Sequence, residues 1–247
     1  MFGLQTHFIF PRHAVGSPGP LPKAAERLTL ATADGETLHG VHIPPKAGAG
    51  GRTLVIGFAG NAWNSQDAAV YLHELYPAAD IVQFHYRGYT PSSGQPSAKA
   101  LLDDALAIHD FAVKRVAARK VVAVGFSIGS GVAAHLASKR RLDGVILVTP
   151  FDSLKAVASD QFPWLPVAAL FDHEMDAAAA LASSDVPSAI ITAAADTLIR
   201  SPRSDGLRRA AGNLSYNRTV NGAGHNDIYQ RSDFHQAMRE ALTTLTR

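Results

Sequence analysis

The chain lacks cysteine altogether: none of its 247 residues carries a thiol. That absence excludes disulfides, a cysteine nucleophile, thiolate zinc sites and iron–sulfur clusters. The sequence also has no His-Glu-x-x-His pattern, the helical zinc motif that needs no cysteine. We therefore expect no metal ion and no other cofactor.

The chain also has almost no excess of positive over negative charge. The chain has 23 Lys and Arg residues against 21 Asp and Glu residues, which gives a net charge of +2 with histidine neutral. No run of Lys and Arg concentrates this small surplus into a basic patch. The sequence therefore does not predict a nucleic-acid partner, and it leaves the oligomeric state open.

No apolar stretch of the sequence approaches the roughly 18 residues that a transmembrane helix needs. The stretch Met1–Pro11 is apolar, but it has neither a basic segment before it nor a long apolar core within it. We therefore predict no signal peptide. We expect this stretch to pack on the rest of the chain and the protein to be cytoplasmic, with contact at a membrane surface as the alternative.

What the chain does have is an alternation of β-rich runs and helical patterns, which we interpret as a single domain over 1–247. Residues 1–25 are rich in proline and predicted to be irregular. An Ala-Asp-Gly turn at 33–35 then joins two strands in a hairpin. The predicted strands are 26–31, 36–43, 53–57, 81–85, 121–125, 144–148, 188–192 and 215–220. The predicted helices are 66–76, 98–117, 128–138, 177–182 and 233–246.

The later predicted strands are continuous runs of β-branched residues, which indicates burial on both faces. This pattern predicts an α/β fold: a sheet of about eight strands, mostly parallel, with an antiparallel N-terminal hairpin and helices on both faces. Residues 155–185 interrupt the alternation and are long enough for a short, lid-like helical insertion. Four apolar side chains of this insertion are predicted to line a substrate pocket: Phe162, Trp164, Leu165 and Phe171.

The strongest functional motif is the segment Gly125-Phe126-Ser127-Ile128-Gly129. It directly follows a predicted strand and opens a predicted helix, which is the setting in which G-x-S-x-G forms a nucleophile elbow. The serine of such an elbow occupies a strained turn, so the flanking glycines provide the space in which strand and helix converge. We predict that Ser127 is a nucleophile; the alternative is a glycine-rich turn that happens to contain a serine.

The same glycines, with Gly131, also fit the glycine-rich loop of short-chain dehydrogenases. That interpretation expects the loop after the first strand of the chain and a Tyr-x-x-x-Lys pair later. Here four candidate strands precede the loop, and no tyrosine has a lysine four residues further on. The sequence therefore disfavours a dehydrogenase.

A serine hydroxyl needs a base to remove its proton at neutral pH. His225 has the most suitable surroundings among the eleven histidines, because it lies in the segment Gly-Ala-Gly-His-Asn-Asp at 222–227, between the last predicted strand and the last predicted helix. The acid that orients such a base is expected between the nucleophile and the base, just past a strand. Asp196 fits this position, and Asp152 is the rival acid. Asp227 lies too near the histidine for that role and is expected to brace the loop.

Acyl transfer also needs hydrogen-bond donors for the oxyanion that forms in the reaction. One predicted donor is the backbone N–H of Ile128, the residue after the nucleophile. The second is expected from the loop that follows the strand at 53–57, with the backbone N–H of Asn61 as the first choice. The alternative is that this loop is only a tight turn.

Taken together, these segments resemble the α/β-hydrolase superfamily from about residue 25 to the end of the chain. Within it the chain is similar to a small, lid-poor branch that includes acyl-protein thioesterases and related α/β-hydrolase-domain proteins. The segments that support the resemblance are G-N-A-W-N at 60–64, Y-R-G-Y at 86–89, G-F-S-I-G-S-G at 125–131, P-F-D-S-L at 150–154, the Asp196 loop and G-A-G-H-N-D at 222–227.

Two positions depart from the family pattern. Ala59 stands where relatives usually have a histidine before the glycine of the oxyanion loop, and His85 stands where they often have an aspartate before Tyr-Arg-Gly. The first departure removes a side chain expected to brace the loop that supplies an oxyanion donor.

The resemblance implies a serine hydrolase that cleaves a small-molecule carboxylic ester or a thioester through an acyl-serine intermediate. A serine at the elbow argues against epoxide hydrolases and haloalkane dehalogenases of this fold, which use aspartate there. Two alternatives remain: a peptidase, and a binding protein that kept the fold without the chemistry.

Overall fold

Eight strands form one sheet in the computed structural model, which describes residues 9–46, 53–164 and 171–247. Their sequences are rich in β-branched residues, and the central strands are buried along almost their whole length, as expected for a sheet covered on both faces. The strands are β1 (Glu26–Ala31), β2 (Thr37–Ile43), β3 (Thr53–Phe58), β4 (Ala79–Phe84), β5 (Lys120–Phe126), β6 (Gly144–Val148), β7 (Ser188–Ala193) and β8 (Leu214–Val220).

The strand order is β1-β2-β4-β3-β5-β6-β7-β8. Strand β2 pairs antiparallel with both β1 and β4, and every other pair in the sheet is parallel. The predicted α/β class, the eight mostly parallel strands and the antiparallel N-terminal hairpin are therefore confirmed. Because the strands from β3 onward are parallel, the loops that follow β3, β5, β7 and β8 all leave from the same edge of the sheet.

Helices cover both faces of the sheet. They are α1 (Ser65–Leu75), α2 (Ala98–Arg115), α3 (Ile128–Lys139), α4 (Leu154–Gln161), α5 (Ala177–Ala182), α6 (Ser201–Ala210) and α7 (Ser232–Leu245). Helices α1 and α7 pack into one apolar cluster with the sheet, and α2, α3, α5 and α6 contribute to the cluster on the other face. Several helices start at a side chain that accepts a backbone N–H: Asn64, Ser97, Ser153 and Asp176.

Helix α6 was not predicted from the sequence. Only two of its ten residues, Ser204 and Leu207, are buried, so its apolar periodicity is too sparse to detect. It also contains Gly206, which normally disfavours a helix interior. That glycine leaves room for Asp152, because a Cβ atom at its position would lie 2.5 Å from a carboxylate oxygen of that side chain, which would have to move.

The region predicted as a lid-like insertion has two different halves. Its first half forms α4, whose end leads to the exposed residues Phe162 and Trp164. Its second half contains α5, in which Ala177 and Leu181 are buried in the same apolar cluster as α3. Helix α5 thus belongs to the layer that covers the sheet, since its buried side chains are part of the core. Residues 165–170 lie outside the described residues.

The described part of the N-terminal segment lies against the loop before α1 and the start of that helix. The side chain of Phe10 is buried in the apolar cluster. Asn64 donates its side-chain N–H to the carbonyl of Gly16 at 3.0 Å, and Gln66 donates to the carbonyl of Gly19 at 2.6 Å. This packing was expected for the start of the chain; residues 1–8 lie outside the described residues. Among the helices of the described ranges, none is long and apolar enough to span a membrane.

Candidate active site

The turn between β5 and α3 has the geometry of a nucleophile elbow. Ser127 stands between the strand and the helix with φ 50° and ψ −115°, a backbone conformation that is strained for a side-chain-bearing residue. Its backbone N–H donates to the carbonyl of Val148 at 2.9 Å, which ties the turn to the end of β6. A Cβ atom on Gly125 would lie 2.2 Å from the carbonyl oxygen of Gly129, so only glycine fits where strand and helix converge.

Three side chains from distant parts of the chain meet at this turn. The Oγ atom of Ser127 lies 3.0 Å from Nε2 of His225, and Nδ1 of His225 lies 2.7 Å from Oδ2 of Asp196. The side chains of His225 and Asp196 are only 8% and 5% exposed. The structure thus brings together the three residues that the sequence predicted, in the order hydroxyl, imidazole and carboxylate.

The loops that carry the histidine and the aspartate support each other. Asp196 uses its second oxygen, Oδ1, to accept the backbone N–H groups of Leu198 and Ile199 at 2.9 and 2.8 Å, which leaves Oδ2 for the imidazole. The backbone N–H of Ala195 donates to the carbonyl of Ala223 at 2.8 Å and so joins the two loops. These bonds hold the carboxylate and the imidazole in one geometry.

Asp227 and Asp152 occupy different roles. The Oδ1 atom of Asp227 accepts the backbone N–H of Gly224 at 2.6 Å, so it braces the histidine loop as expected. The rival acid Asp152 forms an ion pair with Arg203, with 3.4 Å between Nη1 and Oδ2. Because His225 is paired with Asp196, the geometry favours Asp196 over Asp152 as its partner.

The two predicted oxyanion donors belong to segments that adjoin Ser127. Ile128 is the first residue of α3, where the backbone N–H groups have no acceptor within the helix. The loop after β3 passes directly beside Ser127: a Cβ atom on Gly60 would lie 3.9 Å from the Cβ atom of that serine. The side chain of Asn61 has other partners: its Nδ2 donates to the carbonyl of Ile9, and its Oδ1 accepts the hydroxyl of Tyr89 at 2.8 Å.

A shallow cavity of about 360 Å³ opens over the serine. It combines apolar surface with the polar groups of the elbow, the histidine loop and the loop after β3. Its lining residues are Gly60, Asn61, Ala62, Trp63, Ser127, Leu198, His225, Asn226 and Tyr229. A substrate that reaches the hydroxyl of Ser127 would therefore contact an aromatic and aliphatic wall.

The residues predicted for the substrate pocket lie elsewhere in the described chain. Phe162 and Trp164 are 40% and 75% exposed and do not line this cavity, because the chain leaves the end of α4 toward solvent. Phe171 packs on His173 with 6.3 Å between ring centres and is not part of the cavity lining either. Leu165 lies outside the described residues.

Sequence reasoning missed the side chains that do line the cavity. Trp63 packs on Phe126, the residue before Ser127, and on Tyr229, with ring centres 5.2 and 5.0 Å apart. Burial raises the pKa of Tyr229 to about 12. Trp63 lies in the G-N-A-W-N segment, and Tyr229 lies four residues after His225. Their short separation along the chain from predicted site residues is the sequence signal that could have identified them.

His85, one of the two departures from the family pattern, is buried rather than placed at the cavity. Its backbone N–H donates to the carbonyl of His39 at 2.8 Å, and burial lowers the pKa of its imidazole to about 4. It is therefore neutral at physiological pH. Within the described residues, no group of three or more His, Asp or Glu side chains is arranged to hold a metal ion.

Comparison with known sequences assigns the chain to a family. Residues 54–186, more than half of the chain, match the family described as the alpha/beta hydrolase fold. The chain therefore belongs to the α/β-hydrolase family, as the resemblance of its motifs predicted.

Particular relatives agree with this assignment. An uncharacterised Mycobacterium tuberculosis protein, Rv2307c, is 31% identical over 221 residues, which cover 85% of this chain and 78% of the relative. The solved structure of the Pyrococcus furiosus esterase Pf2001 superposes with a TM-score of 0.76 at 18% identity and covers 94% of this chain and 96% of that chain. A Xanthomonas campestris protein described as a serine hydrolase without a lid superposes with a TM-score of 0.65 at 15% identity, covering 92% and 97% of the two chains. Family and fold together support a hydrolase.

Proposed function

We propose that this protein is a serine hydrolase that cleaves a carboxylic ester or a thioester of a small molecule through an acyl-serine intermediate. The observation that carries the proposal is the pair of hydrogen bonds that links Ser127 to His225 at 3.0 Å and His225 to Asp196 at 2.7 Å. A hydroxyl, an imidazole and a carboxylate in this order are the groups that acyl transfer by serine needs.

In the proposed mechanism, Oγ of Ser127 attacks the substrate carbonyl carbon while Nε2 of His225 takes the hydroxyl proton. Asp196 holds the imidazole in the required tautomer and stabilises its protonated form. The backbone N–H groups of Ile128 and Asn61 donate to the oxyanion. Collapse of the intermediate expels the alcohol or thiol, which receives the proton from His225. A water molecule then attacks the acyl-serine by the same route and releases the acid.

The cavity supports a small substrate, because it is shallow and its wall is formed by a few side chains around the serine. A cytoplasmic location is part of the proposal. A peptidase would need a surface that positions a polypeptide, and a binding protein would need no reactive serine. Both are outcomes that experiment separates from the proposed esterase or thioesterase.

A fluorophosphonate probe tests the proposal directly, because it forms a covalent bond only with an activated serine. We expect the purified protein to be labelled on Ser127, as located by peptide mass spectrometry, and the Ser127→Ala variant to remain unlabelled. Ser130→Ala is the matched control: Ser130 lies in the same glycine-rich segment, but its hydroxyl donates to the carbonyl of Ser127 at 2.6 Å. This control should keep the label. A folded wild-type protein that takes no label would favour the binding protein.

The acyl-chain preference tests which residues form the pocket. Leu198 lines the cavity and is 44% exposed at its rim, so we expect Leu198→Ala to shift the optimum toward longer chains in a panel of p-nitrophenyl esters and acyl-thioesters. Trp164→Ala in the same panel tests the pocket predicted from the sequence. If only Trp164→Ala moves the optimum, the pocket lies at 155–185 and the cavity around Leu198 does not select the acyl chain.

A further inference from the structure

The loop after β4 reaches the loop after β3 through two tyrosine hydroxyls. Tyr86 donates its hydroxyl to the carbonyl of Ala59 at 2.8 Å, and Tyr89 donates to the side-chain oxygen of Asn61 at 2.8 Å. Both tyrosines are buried, and their rings pack edge to face with 5.9 Å between centres. These two bonds end at the residues on either side of Gly60, which passes beside Ser127.

The loop that carries the tyrosines is itself held firmly. Arg87, which lies between them, donates to both carboxylate oxygens of Asp104 on α2, with distances of 3.0 and 2.6 Å. Its guanidinium also pairs with Asp34 in the turn between β1 and β2. A planar guanidinium bound to two carboxylates has little freedom to move. The loop that carries the two tyrosines is therefore held in one position.

Asn61 is held from two sides. Its Nδ2 donates to the carbonyl of Ile9 while its Oδ1 accepts the hydroxyl of Tyr89, so a rotation of the amide by half a turn would break both bonds. Burial raises the pKa of both tyrosines above the ordinary value, so each hydroxyl keeps its proton and remains a donor.

Bonds at these positions matter because an oxyanion is stabilised only by donors that are already oriented when charge develops. Ala59 carries no polar side chain that could fix the loop. Its carbonyl, if it turned toward the cavity, would repel the oxyanion, whereas the hydroxyl of Tyr86 gives that carbonyl a partner in the core. The same bonds keep the backbone of Asn61 at one distance from the elbow.

We propose that Tyr86 and Tyr89 are positioning residues that set the oxyanion-binding geometry of the loop at 59–61. The inference rests on the proposed serine hydrolase function, because it concerns the same reaction. Neither tyrosine lines the cavity over Ser127, so each acts through the loop and not on the substrate.

The test compares Tyr86→Phe, Tyr89→Phe and the double variant with Tyr76→Phe. Tyr76 is the matched control: it is also a buried tyrosine whose hydroxyl donates to a backbone carbonyl, that of Met238 at 3.0 Å, but this bond joins α1 to α7. We expect the double variant to lose about ten-fold in kcat on a short ester with KM changed less than about two-fold, while Tyr76→Phe keeps its kcat. Binding of a boronic acid, which forms a tetrahedral adduct with serine, should weaken in parallel with kcat.

The midpoint temperature of thermal unfolding should fall by a similar amount in Tyr86→Phe and Tyr76→Phe, since each variant loses one buried hydrogen bond. A loss of kcat that occurs only in Tyr86→Phe therefore separates positioning of the loop from stability of the fold. A folded double variant whose kcat stays within about two-fold of the Tyr76→Phe value would overturn the proposal. If the double variant does not fold, the two single variants decide in the same way. An inactive, unlabelled wild-type protein would instead reject the proposed hydrolase.

Discussion

Replacing Ser127 by alanine should lower kcat by about a million-fold, and replacing His225 by alanine should have a similar effect. The reason is that the two groups act in one step: the hydroxyl loses its proton to the imidazole nitrogen that lies 3.0 Å away. The variant that carries both replacements should be no slower than either single variant, because neither residue has a function once the other is missing. Steady-state kinetics with the preferred ester measure all three.

The chain offers a close control for the histidine. His42 on β2 also forms a pair with an aspartate, with 2.7 Å between its Nε2 atom and Oδ1 of Asp80, but among the residues that the structure describes no serine hydroxyl bonds to its other ring nitrogen. His42→Ala should therefore keep kcat within about two-fold of the wild-type value. If the double variant were far slower than either single variant, Ser127 and His225 would contribute independently and the proposed relay would be wrong.

The second large effect is expected at the carboxylate. Asp196→Asn should lower kcat by about ten-thousand-fold while leaving the fold intact, since asparagine is nearly the same size and can still accept the backbone N–H groups of Leu198 and Ile199. Its side-chain NH₂ group would then face Nδ1 of His225. That nitrogen would have to become an acceptor, which places the proton on Nε2, where the base must be free to receive one.

Asp152→Asn is the matched control, because Asp152 is the rival acid, which also follows a strand and lies between Ser127 and His225 in the chain. Its ion pair with Arg203 predicts a small loss of stability and a kcat within a few-fold of the wild-type value. Equal and large losses of kcat in the two variants would show that the pairing of His225 with Asp196 does not by itself identify the acid.

The fold was predictable to the extent that its signals are local. The strand 144–148 and the helix 177–182 have the same bounds in the structure as in the prediction, because an unbroken apolar run and an alanine-rich segment behave alike in most surroundings. Helix α6 was not predicted, since it buries few side chains. The close approach of Asp152 to Gly206 in this helix is a tertiary contact, which the local sequence does not show.

The candidate site was likewise predictable where its signals are local and not predictable where it depends on tertiary packing. The segment around Ser127 can be read as a strand, a strained turn and a helix because its glycines, hydroxyl and flanking apolar runs are adjacent in the chain. The lining of the cavity over Ser127 could not be read from the apolar character of 155–185. Which apolar side chains face the serine depends on how separate loops pack, and the described cavity is lined instead by Trp63, Leu198 and Tyr229.

Local patterns in the sequence were sufficient to predict the class of fold, the turn that presents a serine and the loops that carry its two partners. These are properties of neighbouring residues, namely periodicity, glycine placement and chain order. The pairing of His225 with Asp196 and not with Asp152, and the contacts of two tyrosines with the loop at 59–61, became evident only from the folded structure. A hydrogen bond forms only within about 3 Å, and the packing of the whole sheet and its helices sets the distances between loops far apart in the chain.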